Sequence, residues 1–288
     1  MSILQNKIDF AVIITATAAN PNGDPLNGNM PRTTYSGLGE ISDVCLKRKI
    51  RNRLMDIGEN VFVQSDDKNV DGFKSLRDRA NSVTELKTTK NSDEFAKIAC
   101  DNWIDVRSFG QVFAFKAEKD DKNGGISVGV RGPVSIHPAF SQDTVDITSS
   151  QITKSVNGET TETGKKASDT MGTKHRIDFG VYLIKGSINV QLAEKTGFTE
   201  EDAEKIKESL RTIFINDTSS ARPDGSMEVV KLYWWKHNCK IGQYSSKKVH
   251  DSISIVKKAG LEHSAKIEDY DIAVSPLENL TPEIYDGI

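Results

Sequence analysis

Apolar and polar residues alternate in several short stretches of the chain, as they do in β-strands with one buried face. The alternation is clearest in residues 8–14, where the apolar positions are Ile8, Phe10, Val12 and Ile14. Similar stretches cover residues 111–117, 125–134, 177–183, 188–192 and 227–235, and weaker ones cover 252–256 and 270–274. The pattern predicts a protein built around a β-sheet, with its first strand buried on one face.

Three segments have the apolar spacing of three to four residues that is typical of helices. The first begins near Glu40 and ends by Gly58, the second covers residues 92–103, and the third follows the helix-capping residue Thr199 and ends near Phe214. The core order is therefore β, α, β, β, α, β, with about 55 residues inserted after the first helix. This order predicts an α+β, ferredoxin-like fold of the kind found in RNA-recognition domains. Many unrelated functions share that fold.

Residues 141–175 interrupt the pattern of apolar periodicity. They contain 13 Ser or Thr residues and four Lys residues, and no aromatic residue. Such a segment buries too little apolar surface to form a core of its own. We expect a long polar loop, and in a compact chain a loop of this length is usually functional or disordered.

The first predicted helix carries a cluster of positive charge in residues 47–53. Residues 41–55 have a net charge of +4, which leaves −7 for the rest of a chain whose net charge is −3. Apolar residues on this helix fall into two stripes, Ile41, Val44, Cys45 and Met55 on one side and Leu46, Ile50, Leu54 and Ile57 on the other, with the cations between them. Two interpretations remain: a solvated helix face, or a helix that borders a groove for a confined anionic ligand.

The composition is that of an ordinary soluble globular protein, with 36% hydrophobic and 27% charged residues. The most apolar stretch, residues 10–19, is too short and too polar to span a bilayer, and the N-terminus has no signal-peptide pattern. The three cysteines, Cys45, Cys100 and Cys239, are odd in number and form no C-x-x-C pair. We therefore expect reduced, buried thiols, a cytoplasmic location and no membrane partner. Because phosphate-loop and metal-ligand spacings are absent, we expect no cofactor and no metal.

Six motifs follow one another along the chain: NPNGDP at 20–25, MPRT at 30–33, GEISDVCLKRKIRNRL at 39–54, DVRSFGQVFAF at 105–115, RGPVSIHPAF at 131–140 and DTMGTKHRIDFGVY at 169–182. With these motifs in this order, the chain resembles the Cas-seven backbone subunit of the type I-C CRISPR Cascade effector complex, within the RAMP superfamily. The resemblance runs from residue 8 to about residue 240.

The resemblance implies a hand-like architecture of palm, finger and thumb. The palm would comprise residues 1–58, 105–140 and 176–288, the finger-like insertion 59–104, and the protruding thumb loop 141–175. Copies of such a subunit stack head to tail along the CRISPR guide RNA and present it for pairing with a target DNA strand in antiviral defence. The implied partners are the guide RNA, neighbouring copies and other Cascade subunits, and no catalytic step is implied.

The resemblance also implies a set of RNA-binding residues. Backbone groups of the first turn would approach a phosphate, cations of the first helix would follow the RNA backbone, and the thumb would contact the RNA. The set comprises Asn20, Asn22, Gly23, Arg32, Lys47, Arg48, Lys49, Arg51, Arg53, Lys165, Lys166, Met171, Lys174, His175 and Arg176. Met171 has two interpretations, an apolar wedge beside a splayed base or a hinge residue packed at the base of the thumb.

Two other functions compete with this hypothesis. The first is a RAMP-type endoribonuclease that cleaves guide precursor or target RNA, with His175 as base between Lys174 and Arg176, and with Asp169 or Asp178 as an acidic residue for a metal. The second is a lone single-strand RNA binder, which would stack bases on exposed aromatic residues. Trp234 and Trp235 are adjacent on one predicted strand, so at most one faces outward, and we favour packing for both.

Overall fold

The computed structural model describes residues 2–115, 126–153 and 171–288. The strands, in chain order, are β1 (Ile8–Ala19), β2 (Gly23–Asp24), β3 (Met30–Pro31), β4 (Leu38–Ile41), β5 (Gly110–Phe115), β6 (Ile126–Arg131), β7 (Val134–Ile136), β8 (Ala139–Thr144), β9 (Ile147–Thr153), β10 (Met171–Ile188), β11 (Met227–Lys236), β12 (Ile253–Lys257), β13 (Tyr270–Val274) and β14 (Glu283–Asp286). The helices are α1 (Asp43–Asp56), α2 (Leu76–Ser82), α3 (Thr84–Thr88), α4 (Ser92–Asn102), α5 (Ile104–Phe109), α6 (Val190–Thr196), α7 (Glu200–Arg211) and α8 (Ser246–His250).

A large antiparallel sheet organises this mixed α/β fold. Its strand order is β14-β11-β1-β10-β8-β4, and β7 and β9 also pair with β10. The central strand β1 lies between β10 and β11, so that Val12 is opposite Ile184 on one side and Leu232 on the other. The strand β10 is longer than its neighbour β1, and residues 171–176 of β10 extend past β1 and pair with β9.

One face of the sheet is covered by α1, α6 and α7. Phe10 of β1, Ile50 of α1 and Ile206 of α7 are fully buried in the same apolar cluster. Trp234 of β11 belongs to this cluster and stacks on Phe10 with 5.5 Å between the ring centroids. The helices therefore pack on the sheet through the apolar stripes that the sequence predicts for them.

The other face of the sheet is covered as well, by α8 and the β12–β13 hairpin. Ile13, Trp235, Val249 and Tyr270 share this second cluster. The prediction that the first strand is buried on one face is therefore wrong. Ala11 and Ile13, which lie between the predicted apolar positions, are fully buried as well, because the sheet is covered on both faces. The predicted packing of both tryptophans is confirmed, since Trp234 and Trp235 are each 1% exposed on opposite faces.

A third apolar cluster lies in the insertion after α1. Phe62, Phe95 and Trp103 pack there with Phe113 of β5 and Val128 of β6. The two-stranded β5–β6 sheet thus shares its core with residues 62–106, although the sequence analysis assigns residues 105–140 to the palm. Asn91 caps α4 by accepting hydrogen bonds from the backbone N–H groups of Asp93 and Glu94, which confirms the predicted helix over 92–103.

Two predicted elements differ from the structure at their ends or in kind. The first helix begins at Asp43, because Ser42 is its N-cap and residues 38–41 instead form the edge strand β4. The predicted strand over 188–192 is wrong. Asn189 accepts a hydrogen bond from the backbone N–H of Leu192 at 2.9 Å, and this cap starts helix α6.

The expectation of a polar loop over residues 141–175 is wrong for the parts of that segment that the structure describes. Residues 141–144 complete β8, and β9 pairs with β10 from Met171 opposite Thr153 to Ile177 opposite Ile147. Two paired strands satisfy each other's backbone groups, so this segment forms regular structure without a core. Lys165 and Lys166 lie outside the described residues.

The three cysteines are free thiols, Cys100 buried and Cys45 and Cys239 partly buried. The expectation of buried thiols is therefore confirmed for Cys100, whereas Cys45 and Cys239 retain contact with solvent. Among residues 2–115, 126–153 and 171–288, no helix combines the length and the apolar character that a membrane span requires.

Candidate nucleic-acid interface

The turn after β1 is tied to the start of α1 by Asn22. Its side-chain oxygen accepts hydrogen bonds from the backbone N–H of Ser42 at 2.9 Å and from the Ser42 hydroxyl at 2.8 Å. The same hydroxyl caps α1 by accepting from the N–H of Cys45 at 3.3 Å. At Gly23, any Cβ would collide with the side chain of Asn29. Asn22 and Gly23 therefore position the turn against the helix.

Asn20 lies deeper in the same turn. Its backbone N–H donates to the carbonyl of Ala221 at 2.8 Å, and its side-chain amide donates to the carbonyl of Asn29 at 2.7 Å. Its side-chain oxygen is buried and accepts no hydrogen bond from the described residues. The expectation that backbone N–H groups of this turn face a phosphate is therefore not met by Asn20, whose N–H is already paired.

The cations of α1 do not form a single exposed ridge. Five cations within seven residues of a helix point in several directions around its axis, and α1 packs on the sheet with Leu46, Ile50 and Leu54 fully buried. Each of the two predicted apolar stripes has one exposed member, Val44 at 68% and Ile57 at 37%, whereas their other members pack against the main cluster. The cations therefore have different surroundings.

Lys49 points inward and is 4% exposed. Its ammonium group pairs with the carboxylate of Asp217 and lies 5.7 Å from the centre of the Phe214 ring. Burial lowers the pKa of Lys49, and the charge of Asp217 opposes that shift. The ammonium group of Lys49 is therefore buried and already paired within the chain.

Arg51 and Arg53 also have partners within the chain. Arg51 Nε donates to Asp105 Oδ2 at 2.8 Å, and Arg53 Nε donates to the hydroxyl of Thr212 at 2.8 Å. Asp105 is fully buried and accepts two further hydrogen bonds, from the backbone N–H of Phe62 to Oδ1 at 2.6 Å and from that of Val63 to Oδ2 at 3.1 Å. Arg51 therefore fastens α1 to the insertion instead of facing a ligand.

The motif around Asp105 contributes a second link of this kind. Arg107 donates two parallel hydrogen bonds to Asp202 of α7, at 2.9 and 2.8 Å, and a third to the carbonyl of Cys100 at 2.5 Å. Asp202 also completes the capping box with Thr199. Burial acts to raise the pKa of Asp202, but the hydrogen bonds from Arg107 and Thr199 and the charge of Arg107 together lower it. The Asp-Val-Arg triplet at 105–107 thus holds the insertion to both α1 and α7.

Lys47, Arg48 and Arg32 remain partly exposed near the same end of the molecule. Lys47 pairs with Asp43 at 3.0 Å, and Arg48 donates to the carbonyl of Val63 at 2.7 Å. Arg32 pairs weakly with Asp24 at 3.4 Å. Partial burial and the nearby charge of Arg51 lower the pKa of Arg48. These three side chains keep surface on which a phosphate can bind.

The loop between α7 and β11 adds a cation that the sequence analysis missed. Arg222 is about a quarter exposed and donates through Nε to Asp217 Oδ2 at 3.1 Å. Burial raises the pKa of the Cys45 thiol, while the charges of Lys49, Arg222 and Arg32 act in the opposite direction. Arg222 and Lys49 therefore share the Asp217 carboxylate beside α1. The Arg-Pro-Asp-Gly turn at 222–225 is the local signal that marks an exposed cation here.

Of the remaining predicted residues, those that the structure describes lie on β10, in the exposed ribbon that β10 forms with β9. Lys174 and Arg176 lie on one side, opposite Ser150 and Thr148, and Met171 and His175 lie on the other side. His175 Nδ1 is 2.7 Å from the hydroxyl of Ser149. Met171 is 61% exposed, so the interpretation of a packed hinge residue is wrong for this side chain.

The described residues contain no group of three His, Cys, Asp or Glu side chains that could hold a metal ion. Asp178, one of the two acids considered for a nuclease, instead accepts a hydrogen bond from the Thr148 hydroxyl at 2.9 Å and lies 3.8 Å from Arg176. Asp169, the other acid, lies outside the described residues.

Comparison with known proteins identifies the family of this chain. The family model described as CRISPR-associated protein Cas7 matches residues 6–275. The CRISPR-associated protein Cas7 of Haloferax volcanii is 26% identical over 225 residues, which cover 75% of this chain and 66% of the relative. This chain thus spans slightly less than two thirds of that protein's length.

Two solved structures are similar over 80% of this chain. A chain of a complex described as "CRISPR RNA-guided surveillance complex, pre-nicking" has a TM-score of 0.43 and 14% identity, with 78% of that chain covered. A chain of a "CRISPR RNA-guided surveillance complex" has a TM-score of 0.42 and 17% identity, with 68% covered. Because the family model matches almost the whole of the described structure, the chain belongs to the CRISPR-associated protein Cas7 family.

Proposed function

We propose that the chain is a non-catalytic backbone subunit of a cytoplasmic type I-C Cascade complex, which polymerises head to tail along CRISPR guide RNA and presents it for pairing with target DNA. The observation that carries this proposal is the match of the Cas7 family model to residues 6–275. Guide RNA, neighbouring copies of the chain and other subunits of the complex are the proposed partners.

The sheet supports a palm of the ferredoxin-like kind. Its four inner strands have the spatial order β11-β1-β10-β8, and α1 and α7 lie on the same face. Numbered by their order along the chain, these strands follow the spatial order 4-1-3-2, which is the strand order of that fold. The third apolar cluster then belongs to the finger and the β9–β10 ribbon to the thumb.

The covered second face of the sheet favours contact with the RNA backbone over stacking on bases. RNA-recognition sheets stack bases on exposed aromatic residues, but here Tyr233 and Trp235 stack on each other beneath the C-terminal cover. Phosphate contacts supply affinity without reading sequence, which a protein that carries different guides requires. The proposed RNA path therefore runs over the cations beside the sheet.

The proposed contacts fall into two groups. Phosphates would bind near the start of α1, at Arg32, Lys47, Arg48 and the newly identified Arg222. The thumb would contribute Lys174, His175 and Arg176, with Met171 as the apolar wedge and Lys165 and Lys166 as further cations. Asn20, Asn22, Gly23, Arg51 and Arg53 would support this surface by holding the turn and the helix in place.

Filament formation on RNA tests the proposal. Purified protein is mixed with guide RNAs of increasing length and examined by negative-stain electron microscopy and mass photometry, with labelled RNA followed on a denaturing gel. We expect filaments whose mass rises with RNA length, because a head-to-tail interface does not close. A protein that stays monomeric on long RNA would be the lone binder instead. Magnesium-dependent cleavage that is lost in His175→Gln or Asp169→Ala would identify the RAMP endoribonuclease.

A further inference from the structure

A single carboxylate oxygen holds two cations where α1 meets the loop before β11. Asp217 Oδ2 accepts a hydrogen bond from Arg222 Nε at 3.1 Å and also pairs with the ammonium group of Lys49. The Phe214 ring lies against the same ammonium group. Asp217 is 14% exposed and Arg222 is 26% exposed, so the cluster borders solvent on the side of the loop.

Positive charge is in excess around this carboxylate. Two cations, Lys49 and Arg222, pair with this single carboxylate. Arg32 has its own weak partner in Asp24 at 3.4 Å. Asp217 is therefore the acid that neutralises the inner part of a larger cationic group.

Asp217 is held differently from the other carboxylate that pairs with a cation of α1. Asp105 is fully buried and also accepts hydrogen bonds from two backbone N–H groups, so its removal would leave buried donors unpaired. The hydrogen bonds that the Asp217 carboxylate accepts within the described residues come from the Lys49 and Arg222 side chains. An oxygen of another anion can replace both of those bonds without leaving a backbone donor unpaired.

Asp217 belongs to a loop and not to a helix or strand. It lies between α7 and β11 in a segment of turns and bends, directly after Asn216, which has a left-handed backbone conformation with φ of 61°. Lys49, in contrast, is fixed on a helix whose apolar face is fully buried. A change in the loop can therefore expose the lysine while the helix stays in place.

We propose that a phosphate of the guide RNA replaces the Asp217 carboxylate between Lys49 and Arg222, so that the RNA-free protein holds its own carboxylate in a phosphate site. This inference rests on the proposed function and assigns one phosphate contact within it. A phosphodiester offers two anionic oxygens, as a carboxylate does, and both cations recognise either group by charge-assisted hydrogen bonds. Once Asp217 is displaced, Lys49 can bind RNA, although this lysine is buried in the RNA-free protein.

The variant Asp217→Asn tests the inference through affinity for a fluorescein-labelled CRISPR guide RNA, measured by fluorescence anisotropy. This variant removes the competing negative charge and keeps both cations. We therefore expect RNA to bind at least about fivefold more tightly, which corresponds to the interaction of two unit charges about 4 Å apart in water. Asp271→Asn is the matched control, because Asp271 is an exposed acid on β13, which belongs to the cover on the other face of the sheet, and the variant has the same net charge. Its affinity should stay within about twofold of wild type, since charges far from the contact are screened.

Lysine acetylation followed by mass spectrometry gives a second readout. Lys49 should be protected in the free wild type, reactive in free Asp217→Asn, and protected again in that variant when guide RNA is bound. Arg222→Gln extends the test to a more exposed position and should weaken RNA binding by about fivefold or more.

Equal or weaker RNA binding by folded Asp217→Asn, or unchanged binding by Arg222→Gln, would overturn the inference and make the cluster a structural one. Failure of the wild-type protein to bind guide RNA at all would overturn the proposed function, and this inference with it. Circular dichroism of each variant shows which comparisons are made on folded protein, and Arg222→Gln decides the matter where Asp217→Asn does not fold.

Discussion

His250 is a buried titratable residue at the junction between the C-terminal cover and the sheet. Its Nε2 lies 3.0 Å from the carbonyl of Gly186, and its ring lies 5.9 Å from that of His137. Burial lowers the pKa of His250 below its ordinary value of 6.5, and His137 and Lys185 act in the same direction. The hydrogen bond to Gly186 and the charge of Asp9 oppose this effect.

A lowered histidine pKa makes the folded state less stable in mild acid. The unfolded chain takes up the proton first as the pH falls through about 6.5, so the free energy of unfolding should fall between pH 7 and pH 5, by at most about 1.4 kcal/mol per pH unit. Urea unfolding at pH 7, 6 and 5 measures this slope. His250→Gln should reduce it, whereas His263→Gln, at an exposed position, should not. The carboxylates whose pKa is lowered, such as Asp9 and Asp202, titrate below this window.

Equal slopes in wild type and His250→Gln would contradict this account of His250. A slope that changes as much in His263→Gln would instead indicate a general effect of charge. This prediction belongs to the residue scale, because His250 of α8 contacts Gly186 of β10 and His137 of the β7–β8 turn directly.

At the scale of elements, α1 and the β9–β10 ribbon have opposite relations to their charges. Four of the five α1 cations, Lys47, Lys49, Arg51 and Arg53, pair with acids of the chain. On the ribbon, Lys174 and Arg176 lie opposite Ser150 and Thr148, and the ion pair between Arg176 and Asp178 is long, at 3.8 Å, and exposed. Exposed pairs of this kind contribute little energy, so these two cations can exchange water for phosphate at small cost.

The double variant Lys174→Gln with Arg176→Gln should therefore weaken guide-RNA binding equally for every guide sequence. Each lost phosphate contact lowers the dependence of log affinity on log salt by about 0.7, so the slope should become shallower by about 1.4. Fluorescence anisotropy at salt concentrations from about 0.05 to about 0.3 M measures this slope. Lys240→Gln with Lys247→Gln is the control, since both lysines are exposed on the C-terminal side of the molecule.

An unchanged salt slope in the ribbon variant would show that the ribbon does not contact phosphates. A loss of binding for some guide sequences only would instead indicate that these side chains read bases, because phosphate contacts carry no sequence information.

At the scale of the whole molecule, the described residues form three separate apolar clusters. Phe113 lies at the centre of the cluster in the insertion, with ring centroids 5.0 Å from Phe62 and 5.1 Å from Phe95. The clusters on the two faces of the main sheet do not include it. Ion pairs of Arg51 and Arg107 link the insertion to α1 and α7.

Phe113→Ala should destabilise the insertion by about 3 to 5 kcal/mol, the usual cost of removing a fully buried phenylalanine. Because the main sheet has its own core, hydrogen exchange followed by mass spectrometry should show faster exchange in residues 62–106 and little change in β1. Val112→Ala, a change at the exposed neighbouring position on β5, should leave both unchanged. Equal acceleration in β1 would show that the insertion and the sheet unfold as one unit.

Local patterns in the sequence predicted much of the architecture. The strands at β1, β10 and β11 and the helices α4 and α7 depend on residue spacing and on caps such as Thr199, which act within a few positions. The β9–β10 ribbon was not predicted, because its strands have no apolar face and so show no hydrophobic alternation. Each strand is held by pairing with the other, which residue spacing within one strand does not reveal. Helix α6 differs from the predicted strand because Ile188, Val190 and Leu192 alternate as in a strand, whereas the Asn189 cap starts a helix.

The sequence by itself determined the order of the core elements, the charge of the first helix, the packing of Trp234 and Trp235 and the resemblance to the family. Each of these depends on residue types and on short spacings along the chain. Only the tertiary structure decided which cations are neutralised, because Arg51 and Asp105 are 54 positions apart and Lys49 and Asp217 are 168 positions apart. It likewise decided that both faces of the sheet are covered, since residues more than 200 positions after β1 pack against it. Contacts at such separations depend on how the whole chain folds, which no local pattern specifies.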